Sequence, residues 1–127
     1  MYSLKKISLI FLLAILLFSL CACGSMTDRI KQNLENEGYT VSISDKSDSE
    51  FFKTNAKQTI IGKKELDSIT IYLYETKNEA DSALQDYQAA MKDLGNALDS
   101  ILIVGTKDNS LYIATTEQAV NTAYHKI

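Results

Sequence analysis

The sequence predicts an α+β domain. It reads as a two-layer sandwich in which an antiparallel sheet of about four to five strands carries helices on one face, in the order α-β-(β)-β-α-β-β-α. Three observations carry this expectation. Ile69-Thr70-Ile71-Tyr72-Leu73-Tyr74 is β-branched or aromatic at all but one position, the signature of a strand. Directly after it, Ala80, Leu84, Tyr87, Met91 and Leu94 recur at spacings of four, three, four and three, which makes one apolar stripe of an amphipathic helix. The links between such segments are short, and short links favour antiparallel neighbours.

Taken in order, Thr27 to Glu37 reads as a short helix capped by Asp28 or Thr27. Ile30 and Leu34 lie on one face, and Gly38 takes the position where positive φ is needed. Tyr39 to Ile43 alternates apolar and polar residues, as a half-buried strand does. Ser44 to Glu50 is a polar loop. Phe51 and Phe52 demand burial, but the stretch to Lys57 sustains neither period. Thr59 to Gly62 reads as a short strand and Lys63 to Ser68 as a turn. Thr76 and Glu79 form a capping box for the long helix, and Gly95 lies near its end. Ile101 to Val104 is apolar on both faces, as expected of a central strand. Lys107-Asp108-Asn109 is turn chemistry, with Leu111 to Ala114 returning as a hairpin partner. Thr115 and Gln118 repeat the capping logic before a C-terminal helix with Ala119, Val120, Ala123, Tyr124 and Ile127 on its apolar face. The β-α-β-β stretch from Ile69 to Ala114 resembles ferredoxin-like splits in layout alone.

The N-terminus is of a different kind. Lys5 and Lys6 precede an uncharged run from Ile7 to Leu20, broken only by Ser8 and Ser19. Crossing a hydrocarbon core takes roughly 20 apolar residues, so this run suits the h-region of an export signal. It ends in Leu20-Cys21-Ala22-Cys23. That sequence resembles the cleavage and lipidation box of bacterial lipoproteins, in which Leu at −3 and a small residue at −1 precede the modified cysteine. Modification of Cys21 would place bulky Leu20 at −1, whereas Cys23 has Ala22 at −1 and Leu20 at −3. The resemblance implies cleavage between Ala22 and Cys23, a thioether-linked diacylglycerol on Cys23 with fatty acyl chains such as palmitate, and residence on the outer side of the cell membrane. Residues 1–22 are then the signal, 23–26 the lipidated cysteine and a short tether, and 27–127 a single extracytoplasmic domain. Two acyl chains make attachment effectively stable where one would be marginal.

Cleavage leaves 105 of the 127 residues, about the common size of one domain. Cys21 departs with the signal and Cys23 is acylated, so the domain keeps no thiol and no disulfide, and its stability must come from its core. The remaining 11 basic and 16 acidic residues give a formal charge of −5. Anionic headgroups repel such a domain, and nucleic acid, which needs a basic face, is excluded as a partner.

The sequence shows no catalytic constellation: no G-x-S-x-G, H-E-x-x-H, phosphate-binding glycine loop or C-x-x-C. The single histidine, His125, lies near the end and reads as solvent-facing. The Asp45-Lys46-Ser47-Asp48-Ser49-Glu50 loop offers clustered oxygens, but it lacks the glycine and distal glutamate of a calcium loop and places Lys46 among the ligands. It reads as solvated. Asp81, Asp86 and Asp93 read as solubilising charges on the long helix. No metal and no cofactor are expected.

The tyrosines are the candidate binding groups. Alternation sets Ile69, Ile71 and Leu73 on one face of their strand and Tyr72 and Tyr74 on the other; it likewise separates Leu111 and Ile113 from Tyr112. If helices cover the aliphatic face, Tyr72, Tyr74 and Tyr112 line an open sheet face suited to binding. The chain is therefore expected to be a non-enzymatic, membrane-tethered binding module for a protein or envelope component. The alternative is a small-ligand or ion receptor with the 44–58 segment as a flap. In size, layout and anchor the mature part resembles small lipoproteins of Gram-positive bacteria, a likeness that transfers no active residue.

Overall fold

The computed structural model describes residues 25–45, 56–94 and 102–127, with the side chain of Leu94 excepted. The signal segment with Ala22 and Cys23, most of the polar loop, Phe51, Phe52, Gly95 and Ile101 lie outside the described residues. Among the described residues, three helices and five strands follow one another as α1 (Met26–Asn36), β1 (Thr40–Ser44), β2 (Gln58–Lys64), β3 (Asp67–Leu73), α2 (Lys77–Leu94), β4 (Ile103–Lys107), β5 (Ser110–Ala114) and α3 (Glu117–Ala123). The strands form one antiparallel sheet in the order β1-β2-β3-β5-β4. The class, the sheet and the element order are those read from the sequence.

Local chemistry explains the boundaries. The backbone N–H of Asp28 donates to Ser25 Oγ at 3.3 Å, so the cap of α1 is Ser25 and not Thr27 or Asp28. Thr27 is buried, and its hydroxyl donates to the side chain of Gln58, tying α1 to β2. Ile30 and Leu34 are fully buried. Gly38 ends the helix at φ 90°, as expected. Lys64 Nζ then donates to the Glu37 carbonyl at 2.7 Å, a cation placed on the negative end of the helix. Thr76 caps α2 by accepting from Glu79 N–H at 3.2 Å. The cap of α3 is Thr116, which accepts from Ala119 N–H at 3.1 Å. Thr115, the expected cap, instead accepts from Ser68 N–H at 2.9 Å and binds the start of β3.

The two-layer expectation requires correction, because the helices lie on both faces of the sheet. On one face α1 and α3 cover Ile60, Ile69, Ile71, Leu73 and Ala114. On the other, α2 packs through Ala80, Ala83, Tyr87 and Met91 against Tyr74 and Leu111, with Tyr72, Val104 and Ile113 at the margin. The cause is strand register. Tyr72 pairs with Leu111 and Thr70 with Ile113, so β5 turns its aliphatic side chains to the face opposite Ile69 and Ile71. That second apolar face also needs burial, and α2 supplies it.

The layout follows from the same pairing. Both β3 and β4 are antiparallel to β5, so they run parallel to each other with β5 between them, and α2 is the crossover. This is a split β-α-β unit. It makes β4 an edge strand, not the central strand its apolar run led us to expect. Its residues Ile103 to Thr106 are only half-buried.

Candidate functional site

The structure does not bring the three candidate tyrosines together. Tyr72 is half-buried beside the α2 cluster, and Tyr74 is 1% exposed within it. Tyr112 lies on the other face, paired with Ile71 and Gly105, with its ring 5.5 Å from that of Tyr124. A Cβ added to Gly105 would stand 2.7 Å from Tyr112 Cζ, so the ring occupies the space over the glycine. Tyr112 is a packing residue across two strands.

Two tyrosine hydroxyls are buried in contrasting ways. The Tyr124 hydroxyl shares a hydrogen bond of 2.8 Å with Ser110 Oγ, which also donates to the Lys107 carbonyl at 2.6 Å. The Tyr74 hydroxyl has no hydrogen-bond partner among the described residues. Burial pushes the Tyr74 hydroxyl pKa up to about 12, with Tyr72, Asp86 and Glu79 adding to the rise. Burial also raises that of Tyr124, against the lowering effect of its bond to Ser110. Neither group is poised to ionise near neutrality. Both act as neutral phenols.

Two clefts offer more to a ligand. The first, of about 500 Å³, lies between α1 and α3 and is lined by Asn33, Asn36, Glu37, Glu117, Gln118 and Asn121, with Thr122 and His125 at its margin. Asn33 Nδ2 joins the two helices by donating to the Ala123 and His125 carbonyls at 3.0 and 2.9 Å. Asn33 and Asn36 are three residues apart, as are Gln118 and Asn121, so each pair shares a helix face. Those two spacings are the sequence signal of the cleft, and they resemble no catalytic motif.

The second cleft, of about 370 Å³, opens at one end of the sheet, where the start of α1 meets the ends of β1 and β3, the start of β2 and the β4–β5 turn. Asp45, Lys57, Glu75, Asn109, Ser25 and Thr27 line it together with Gln58 and Tyr74. Lys57 Nζ stands 3.1 Å from a Glu75 oxygen, and Gln58 Nε2 donates to Asp45 Oδ1 at 3.4 Å. Asn109 and Tyr74 clamp the rim through Tyr74 N–H to Asn109 O at 2.8 Å and Asn109 Nδ2 to Tyr74 O at 2.6 Å.

The other candidates are dispersed. His125 is exposed, and its part in the first cleft is mainly its carbonyl. Asp81 is half-buried and accepts from Thr106 Oγ1 at 3.4 Å, which links α2 to β4; only Asp93 is fully solvent-facing. Among the described residues, no three of His, Cys, Asp and Glu converge as metal ligands. No helix among them is long and apolar enough to cross a membrane. No family model, curated protein or solved structure matches the chain.

Proposed function

We propose that this chain is a lipoprotein held on the outer side of the cell membrane by a diacylglycerol on Cys23, and that its domain is a non-enzymatic binding module for a protein or envelope component. The observation that carries this reading is the junction between signal and fold. Ser25, the cap of α1, follows Cys23 by two residues, so this helix begins close to where the cleavage pattern Leu20-Ala22-Cys23 would leave the mature N-terminus. The formal charge of −5 after cleavage supports attachment by acyl chains over attraction to anionic lipid, and it speaks against a nucleic-acid partner.

The α1–α3 cleft replaces the tyrosine face as the candidate binding surface. Its carboxamides offer donors and acceptors side by side, as a polar partner requires. Labelling cells with radioactive palmitate tests the anchor. Wild type and Cys21→Ala should take up label, and Cys23→Ala should take up none and accumulate as precursor or leave the membrane. Label retained in Cys23→Ala contradicts the assignment.

A small-ligand receptor is the second reading, supported by the sheet-end cleft with its convergent Asp45, Lys57, Gln58 and Asn109. Only the ends of the 44–58 segment fall within the described residues.

A further inference from the structure

The anchor fixes more than location. An extended chain spans at most about 3.6 Å per residue, so the lipidated residue can lie no more than about 7 Å from Ser25 Cα. Ser25 itself lines the sheet-end cleft, together with Asp45, Lys57, Glu75 and Asn109. Whatever holds Cys23 in the bilayer therefore holds this end of the sheet at the headgroups. The opposite end lies far from the anchor. β3 advances seven residues from Asp67 to Leu73, about 20 Å at strand rise, and Leu66 stands beyond Asp67 at the tip of the β2–β3 hairpin, 95% exposed. In the same way, Asn33 and Asn36 lie about 12 and 16 Å along α1 from its cap.

The chemistry of the lower end matches such a surface. Its cleft carries both signs of charge, with Lys57 paired to Glu75 and Asp45 held by Gln58 on the same lining. The Lys57–Glu75 pair is exposed, with side chains 57% and 65% accessible, so exchanging either partner for a headgroup costs little. An ammonium beside a carboxylate complements the phosphate and ammonium of a zwitterionic phospholipid; among the described residues of the cleft, an anionic lipid would meet one lysine and be opposed by two acids.

We propose that the domain stands on the membrane by this end of its sheet, with the Asp45–Lys57–Glu75 cleft seated on zwitterionic phospholipid headgroups, and that it turns the α1–α3 cleft and the Leu66 tip outward. This rests on lipidation of Cys23, and the test separates the two. Full-length processed protein carrying Lys77→Cys or Leu66→Cys is purified from membranes, labelled with bimane and reconstituted in phosphatidylcholine vesicles containing a headgroup-nitroxide lipid. Lys77 follows Glu75 by two residues and is exposed at the lower end.

The label at 77 should be quenched several-fold more than the label at 66. Equal or reversed quenching, with bound fatty acid present by mass, overturns the orientation and leaves the anchor standing. Absence of fatty acid overturns both. Adding Lys57→Ala and Glu75→Ala to the Lys77→Cys protein should reduce its quenching while its melting transition stays in place. Quenching unchanged by that pair overturns the headgroup contact.

Discussion

Two buried tyrosines should respond to the same substitution with opposite signs. Tyr74 is 1% exposed and Tyr124 7%, so in both cases replacement by Phe keeps the ring in its packing and removes only the hydroxyl. At Tyr74 the side chain packs in a cluster with Ala80, Ala83, Tyr87 and Leu111, and its buried hydroxyl finds no partner among the described residues. A buried polar group left without its hydrogen bond costs about 1–3 kcal/mol, so Tyr74→Phe should stabilise the domain by about 1 kcal/mol once lost contacts of the oxygen are allowed for. At Tyr124 the hydroxyl is bonded to Ser110 Oγ at 2.8 Å. Its loss should cost about 0.5–1.5 kcal/mol, toward the lower end because Ser110 keeps its bond to the Lys107 carbonyl. Urea unfolding of the domain from Gly24 onward reads both, provided the slope with denaturant is unchanged. A Tyr74→Phe domain destabilised as much as Tyr124→Phe would show that the Tyr74 hydroxyl is bonded and that this account of the α2 face is wrong.

Other outcomes follow from the same contacts. Because folding raises the pKa of Tyr74 to about 12 from an ordinary 10.0, and that of Tyr124 likewise upward, the stability held in their protons is complete below pH 10.0; the Tyr74 share is lost as pH rises through about 12, and the Tyr124 share also falls as pH rises. Urea midpoints measured at rising alkaline pH should fall in that window, and less steeply in Tyr74→Phe. Gly105→Ala should cost about 1–3 kcal/mol by forcing the Tyr112 ring aside, and combining it with Tyr112→Leu should recover much of that loss in a double-mutant cycle. Ile71→Ala, at a fully buried position, should cost about 2–5 kcal/mol, and Leu84→Ala, at a half-buried one, clearly less; equal losses in urea melts would contradict the burial described. Ser25→Ala should cost about 0.5–2 kcal/mol by removing the α1 cap, read by thermal melting.

The class and the order of elements were legible because each rests on a local pattern. The period of two in Ile69 to Leu73 and the helical stripe from Ala80 to Met91 need no knowledge of partners. The positive φ at Gly38 is a local demand of the same kind. What was not legible depends on pairing. Alternation says that Tyr112 and Leu111 point to opposite faces of their own strand, but not which of them joins Ile71. The β4–β5 turn and the clamp between Asn109 and Tyr74 decide that register, placing Ser110 opposite Leu73 and therefore Leu111 opposite Tyr72. A shift of one residue would have produced the tyrosine face expected. The second layer of helix was hidden for the same reason, since the need for α2 on the far face arises only once Leu111, Ile113 and Val104 gather there.

The candidate site was less legible than the fold. Tyrosines drew notice as interface residues, but in a domain without a disulfide their large apolar area was needed inside. The cleft side chains, Asn33, Asn36, Gln118 and Asn121, are short polar groups on solvent faces, and only the approach of α1 to α3 assembles them. Nothing in either helix alone specifies that approach. It is fixed jointly by Ile30 and Leu34 from one helix and Ala119 and Ala123 from the other, meeting over the same sheet face.

Attachment of a domain that begins two residues after a lipidated cysteine is the central claim, and the mass of the N-terminal peptide of the membrane-bound protein tests it most directly. We predict a peptide that begins at Cys23, continues Gly24-Ser25 and carries the added mass of a diacylglyceryl group. A membrane-bound protein whose N-terminal peptide begins at Met1, or one that begins after residue 22 with an unmodified Cys23, would contradict it.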